Sequence, residues 1–441
     1  MKKRILLIGR WGKTHAFAKA IVEKSSTDTE LYCYMDKPNA GIVQLATDYK
    51  LGNLKDNKDI IDYAKSLKID FAIAVPHLAL SNSLVDEMIQ HDIRCVGPTR
   101  VCSQLETSKS FLRNILKQVS PDASPEFKSF TSKEDAIDYI KLVDYDVAVK
   151  PVGVTEGDGV KVIGVQLKDE KEAIQYVHEI FKKNIGGIAE VLIEEKLVGR
   201  EFTIQAFLDS ETIVGMPATR DYKLLLEGDK GLNTPGMGSI SFEDHLLPFL
   251  SRKEYDQCLQ LMFDVAEYLK EKHGEKYIGY LSGQFIKTKD GIKVIEFNVR
   301  PGDSEILNII PILKTDFVEI SEAMIDRKLK DLKVEYEDKA TVCKYIVNQG
   351  FPNPENDMIM HIDDEAIKNN GGDLFYSCFA VDKNVYKPSP RGVAVTAKGD
   401  TLQQAYELCE KLIRGNISGE GLWYRKDIGT KELLELHESK M

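Results

Sequence analysis

The sequence predicts a mixed α/β and α+β chain in three units: an N-terminal parallel-sheet domain, a central α+β domain and a small C-terminal α+β domain. Three observations carry this. Short apolar strands alternate with helical patterns between Arg4 and Val96, which implies a parallel sheet covered by helices on both faces. From Glu201 the pattern becomes more antiparallel in character, with alternating β-rich segments and, later, a Lys289-Asp290-Gly291 hairpin turn. A chain of 441 residues also exceeds what one core holds. The expected boundaries are 1–103, 104–330 and 331–441.

The N-terminal unit opens with an apolar strand, Arg4 to Gly9, then Gly12 and a helical pattern from His15 to Val22. Strands at Leu31–Met35, Phe71–Val75 and Arg94–Val96 and helices at Asn57–Lys68 and Ser83–His91 complete it. One helix is expected from Val101 to Val119, ended by the proline-containing stretch Ser120 to Pro125. A strand, a helix, and two strands about a glycine turn lead to a helix at Lys171–Lys182 and a strand at Ala189–Glu195. β-rich segments at Glu201–Gly215, a helix at Arg252–His273 and strands at Gly279–Lys287 and Ile292–Asn298 follow. The last unit reads as strands at Ala340–Asn348, Phe375–Val381 and Gly392–Ala397 before a helix at Thr401–Arg414.

Composition narrows the function class. A formal net charge of −11 argues against a general nucleic-acid binder, which needs a basic footprint. Seven scattered cysteines include no CxxC pair, which reads as reduced, cytoplasmic thiols. The stretch Phe71–Leu80 is too short to span a bilayer, so no membrane partner is expected.

Four segments carry chemistry. In Lys293 to Glu305, alternation places Glu296, Asn298 and Arg300 on one strand face. A carboxylate and an amide oxygen so close suit magnesium, and Arg300 is placed to clamp a carboxylate or phosphate. Counting back across the hairpin turn puts Gln284 on the side of Glu296, as a direct or water-mediated metal ligand. An edge strand with solvated polar residues is the bland alternative. In Val147 to Val162, a strand ends in Lys150 and a loop with Gly153, Gly157 and Gly159 follows. Glycines let main-chain N–H groups approach phosphate, and the lysine adds a point charge. The segment Leu192 to Glu201 suits an adenosine, with main chain near Glu195–Leu197 at the base and Glu201 at the ribose. The segment Asp221 to Gly238 is long, glycine-rich and irregular, the texture of a functional loop.

In this order and spacing the segments resemble the ATP-grasp superfamily and, more narrowly, the phosphoribosylamine–glycine ligase family. The resemblance also rests on Gly97-Pro-Thr, Leu105-Glu-Thr-Ser-Lys109, Asn233-Thr-Pro-Gly-Met-Gly238 and Tyr424-Arg-Lys-Asp-Ile-Gly429, and it makes the central unit an ATP-grasp domain. It implies ATP and magnesium as cofactors, with manganese as a substitute. Lys109, Lys150, Gly157 and Gly159 would meet the phosphates, Glu194, Glu195 and Leu197 the adenine, and Glu201 the ribose. Glu296, Asn298 and Gln284 would hold the metal. Arg300, Gly302 and Asp303, with Asp221 and Lys223, would seat the amino acid. Arg300, Lys150 and Asp221 would be catalytic. The family carries Gly-Arg-Glu-His where this chain has Gly12-Lys13-Thr14-His15, Gly-Pro-Glu where it has Val75-Pro76-His77, a lysine at Asp158, Asp-His-Lys at Asp221-Tyr222-Lys223, and Phe at Pro301.

The implied reaction phosphorylates a carboxylate and transfers the acyl group to an amine, most simply glycine to phosphoribosylamine. A ligase for another amino acid or amine and a non-catalytic nucleotide-binding regulator are the alternatives. The small-molecule substrates would be an amino acid and a phosphorylated amine, its phosphate held at Gly12, Lys13 and His15, where a helix N-terminus follows the first strand. The chain is expected to be a monomer or homodimer. Segments Leu224–Gly238 and Gly153–Gly159 are the expected lids.

Overall fold

The computed structural model describes residues 2–153, 159–352, 357–382, 384–387 and 391–438. The N-terminal sheet is parallel, in the order β3-β2-β1-β4-β5, with β1 Lys3–Ile8, β2 Thr29–Met35, β3 Asp48–Leu51, β4 Phe71–Ala74 and β5 Cys95–Val96. Helices α1 (Gly12–Val22), α2 (Ala40–Leu45), α3 (Asn57–Leu67), α4 (His77–Ser81) and α5 (Leu84–Gln90) accompany it. The run Ile5 to Ile8 is fully buried, as both faces of a parallel sheet require.

The helix expected from Val101 to Val119 is two helices, α6 (Arg100–Thr107) and α7 (Lys109–Val119). Ser108 breaks it in an extended conformation (φ −138°, ψ 101°), and its hydroxyl caps α7 by accepting from the Phe111 N–H at 3.3 Å. The break sets Lys109 at the first turn of α7, where its ammonium donates to the carbonyls of Pro151 (3.2 Å) and Gly153 (3.0 Å).

The central unit holds two antiparallel sheets. One runs β6 (Phe127–Phe130), β9 (Val191–Glu195), β7 (Val147–Pro151), β8 (Lys161–Val162), backed by α8 (Lys133–Leu142) and α9 (Glu170–Lys183). The other runs β11 (Ile213–Gly215), β10 (Arg200–Asp209), β16 (Ile278–Thr288), β17 (Gly291–Asn298), with α10 (Arg252–His273) packed against it. The segment 221–238 is more regular than its sequence suggests. It follows β12 (Arg220–Asp221) with a hairpin, β13 (Leu224–Leu226) and β14 (Lys230–Asn233), and ends at β15 (Gly238–Ser241).

Strands β12 and β15 extend a sheet whose other members lie beyond residue 339: β18 (Ala340–Asn348), then Val393–Gly399 and Gly372–Tyr376, with Leu422–Trp423 also paired to β18. Helix α11 (Glu305–Ile312) buries every residue and precedes α12 (Phe317–Asp326). Apolar except at Glu305 and Asn308 and buried all round, it has no solvated face against which an apolar stripe would show in the sequence. Phe17, Tyr280, Phe317, Tyr345 and Phe375 share one buried cluster, so the three units meet in a common core. Among the described residues, no helix is long and apolar enough to cross a membrane.

Candidate active site

The units enclose a cleft of about 760 Å³. Its walls take Lys13, Lys109, Lys150, Glu194, Glu195, Leu197, Glu201, Asp221, Lys223, Gln284, Glu296, Asn298, Arg300, Gly302 and Asp303 from the expected set. Gly157 lies outside the described residues. Gly159 is buried, and its carbonyl accepts the Tyr176 hydroxyl at 2.7 Å.

At one end Ala148, Val162, Leu197, Ile286 and Ile295 make an apolar wall. Along β7 the residues Ala148 and Lys150 share a face, and Glu194 on β9 stands opposite Ala148. The Lys150 ammonium lies 2.5 Å from Glu194 Oε2, and Arg113 on α7 donates to the same carboxylate through Nε (2.5 Å) and Nη2 (3.2 Å). Burial would push the Glu194 carboxyl up, but Arg113 and Lys150 bring it down to about 2. Glu194 lines the cleft, but its carboxylate is already engaged by Arg113 and Lys150. Its carboxylate is 2% exposed and serves as the internal anchor of Lys150. The N–H groups of Glu195 and Lys196 are taken by Glu126 O (2.9 Å) and Asp146 O (2.8 Å), and Glu195, Lys196 and Leu197 all line the cleft.

The expected metal face depends on a β-bulge. From the turn, Phe285 pairs with Val294, but Gln284 pairs with Glu296. The extra residue, Ile295, gives its carbonyl to Arg113 Nη2 at 2.6 Å. Without the bulge Glu296 would face away from Gln284. Burial would raise the Glu296 carboxyl, yet Lys223, Lys109 and the Asn298 amide hold it below its ordinary value. Glu296 thus stays ionised beside Asn298, whose Nδ2 donates to it at 3.3 Å. No group of three His, Cys, Asp or Glu side chains suited to a metal occurs among the described residues. One ionised carboxylate with amide oxygens fits magnesium, which takes its remaining ligands from phosphate and water.

Next to this face, the Lys223 ammonium meets Gln284 Oε1 at 2.8 Å, Glu201 Oε2 at 3.5 Å and Asp221 Oδ2 at 3.6 Å. Burial alone would lower its pKa, but Asp221, Glu201 and Glu296 raise it, so it is a permanent cation. Burial also raises Asp221, and burial with Asp221 pushes the Glu305 carboxyl up to about 7. Arg300 donates Nε to Glu106 Oε1 at 2.9 Å.

The far end corrects the expected phosphate cradle at α1. The Gly12 N–H donates to Ser377 Oγ (2.9 Å) and the Lys13 N–H to Asp303 Oδ2 (3.0 Å), while those of Thr14 and His15 turn back to Trp11 O. His15 is a core histidine: it is 3% exposed, and its Nδ1 accepts from the Tyr376 N–H at 3.0 Å. Burial, then Lys19, holds its pKa well below the ordinary value, so the ring is neutral. Gly12 serves close packing, since a Cβ there would lie 2.3 Å from the Tyr345 hydroxyl. Asp303 lines the cleft, but its carboxylate is occupied by the Lys13 N–H, by Arg391 Nη2 at 2.8 Å and by the Tyr345 hydroxyl at 2.5 Å. It holds the loop more than it offers a free carboxylate. Lys13 alone of the three α1 candidates lines the cleft, beside Arg10, Trp11, Asp36 and His77. Burial, then Arg300, lowers its pKa to about 7.

Sequence reasoning missed Arg113, Glu106, Glu305 and Arg391. Arg113 and Arg391 lie outside the motifs and meet the site only through the fold, while Glu106 and Glu305 lie within the motif segments but were given no role.

Three family models match in succession: the Phosphoribosylglycinamide synthetase N domain over residues 3–106, its ATP-grasp (A) domain over 107–306 and its C domain over 341–431. The chain is 41% identical to a phosphoribosylamine–glycine ligase of Methanocaldococcus jannaschii, over 99% of both chains. It is 39% identical to one of Methanopyrus kandleri, over 99% of this chain and 98% of the relative. The crystal structure of phosphoribosylamine–glycine ligase from Thermotoga maritima superposes with a TM-score of 0.81 at 24% identity, covering 96% of this chain and all (100%) of that one.

Proposed function

The chain belongs to the phosphoribosylglycinamide synthetase family, and from that premise we propose how its cleft joins glycine to phosphoribosylamine at the expense of ATP. The observation that carries the reading is the convergence of Lys109, Lys150, Glu296, Asn298 and Arg300 on one cleft between the units.

ATP lies with its base against the apolar wall at Leu197 and its phosphates toward Lys109 and Lys150. Glu296 and Asn298, with Gln284 beside them, are the residues that would hold magnesium, and the same hard-oxygen set accepts manganese. When bound, the ion neutralises charge on the transferring phosphate. Arg300, fixed by Glu106, orients the glycine carboxylate toward the γ-phosphorus, and Asp221 accepts from the glycine ammonium. A carboxylate oxygen attacks phosphorus, ADP leaves and an acyl phosphate forms. The amine nitrogen then attacks the acyl carbon, and phosphate departs with its bridging oxygen. Glu305, titrating near neutrality, is suited to take the proton released by the amine. The test is product formation from ATP, glycine and freshly generated phosphoribosylamine. Product with glycine, and none with larger amino acids or with ammonia as the amine, supports the reading. ATP turnover indifferent to both substrates would overturn it.

Lys13 is the cation placed for the phosphate of the amine. Its charged form is lost as pH rises through about 7, because burial favours the neutral amine. The expected result is a kcat/KM for phosphoribosylamine that falls above neutrality by up to ~10-fold per pH unit, the slope of a single titration. Lys13→Arg, which keeps its charge, should hold the plateau to higher pH. Parallel pH profiles for the two enzymes would remove Lys13 from phosphate binding.

A further inference from the structure

Asp221 and Lys223 face the cleft, but Tyr222 between them is 1% exposed and points into the core shared with the C-terminal unit. Behind Tyr222 lies Arg425, with no exposed side-chain surface (0%) and its guanidinium 5.3 Å from the tyrosine ring centre. Arg425 Nη1 donates to the Leu224 carbonyl (3.1 Å), next to Lys223, and to Asp229 Oδ1 (2.6 Å) at the tip of the β13–β14 hairpin. Its Nε and Nη2 hold Asp427 at 2.9 and 2.7 Å, and Asp427 accepts the Gly228 N–H at 2.8 Å. Arg391 grips the returning limb, donating to Pro235 O (2.9 Å) and Gly236 O (3.0 Å). The hairpin expected to be a loose lid is thus fastened from behind, at its tip and both limbs, by the C-terminal unit.

We propose that Arg425 is a positioning residue: through Leu224, Asp229 and Asp427 it holds the 221–238 segment so that Asp221 and Lys223 seat the amino acid and shut water away from the acyl phosphate. The inference rests on the reading that Asp221 and Lys223 contact the amino acid. A guanidinium suits the task, because its planar fork reaches three acceptor residues at once, Leu224 on β13 and Asp229 and Asp427 in two turns, which an ammonium cannot do in one plane. Lys109 and Lys150 are anchored on Pro151, Gly153 and Glu194 and not on the hairpin, so the contacts proposed for the ATP phosphates depend on it less than the glycine site does. If the hairpin loosens, water adds at the acyl carbon and the bond to phosphate breaks. The products are free glycine, inorganic phosphate and a proton, and no amide forms.

The test compares phosphate released with amide formed, and KM for glycine with KM for ATP, in Arg425→Met, Arg425→Lys and Asp229→Asn. The last removes one charge at the hairpin tip and serves if Arg425→Met does not fold. The expected result is a phosphate-to-amide ratio raised about threefold or more and a glycine KM raised roughly tenfold, with KM for ATP raised less than KM for glycine and Arg425→Lys intermediate. A folded variant with unchanged ratio and unchanged glycine KM overturns the proposal, since lost folding alone lowers kcat without moving either. Asp221→Asn separates the premise. If it leaves the glycine KM alone, the assignment of Asp221 fails; if it raises KM while the Arg425 and Asp229 variants do not, only the positioning role fails.

Discussion

Replacing Glu296 by Gln is expected to lower kcat on the order of a hundredfold to a thousandfold, the usual cost of losing one preorganised electrostatic contact to a developing charge. The carboxylate is held ionised against its burial by Lys223, Lys109 and the Asn298 amide, so its charge is an intended part of the site. Glutamine keeps the shape and the hydrogen-bonding reach to Asn298 but not the charge. Folding stability should change by less than about 1 kcal/mol, because no buried cation depends on Glu296 for a direct hydrogen bond. Steady-state kinetics over a magnesium series with a parallel urea titration measures both. Near-normal turnover at ordinary magnesium would remove Glu296 from the metal.

Glu194→Ala is expected to be the most destabilising single change in the site, by about 3–5 kcal/mol, the cost of breaking a buried ion pair from one side. It strands the Arg113 guanidinium, which is 2% exposed, and frees Lys150 from its anchor. The double variant Arg113→Met with Glu194→Leu should recover part of that stability, because the Arg113 charge is removed with its partner and only Lys150 is left unpaired. It should not recover turnover, since Lys150 still lacks its partner. The pH dependence has a fixed sign. The folded carboxyl titrates at about 2, below its ordinary 4.5, so the contribution is whole above about 4.5 and is lost as pH falls toward 2. Chemical denaturation at neutral and acid pH tests both statements. A small effect at neutral pH would mean that the pair is solvated.

Much of the nucleotide end was legible in the sequence because it is local. Alternation along β17 put Glu296 and Asn298 on one face, and the turn at Lys289-Asp290-Gly291 fixed their partner strand. The bulge at Ile295 was not legible, since its carbonyl is taken by Arg113, which lies on a helix far back in the chain. Lys109 came only through the resemblance; no periodicity distinguishes it until Ser108 breaks the helix. The α1 end misled for the same reason. Gly12 and His15 look like a phosphate cradle in isolation, but Ser377 and Tyr376, more than 360 positions along the chain, use those groups. Pairing of β15 with β18 likewise joins segments that carry no mutual signal in the sequence.

The central claim is that this cleft activates a carboxylate by phosphorylating it. The most direct measurement is oxygen transfer from glycine labelled with oxygen-18 in its carboxylate, with ATP, magnesium and phosphoribosylamine unlabelled. The expected result is one oxygen-18 atom in the inorganic phosphate for each amide formed, because the phosphoryl group is carried on a carboxylate oxygen and leaves with it. Unlabelled phosphate alongside normal amide formation would contradict the account, since the carboxylate would then never have been joined to phosphorus.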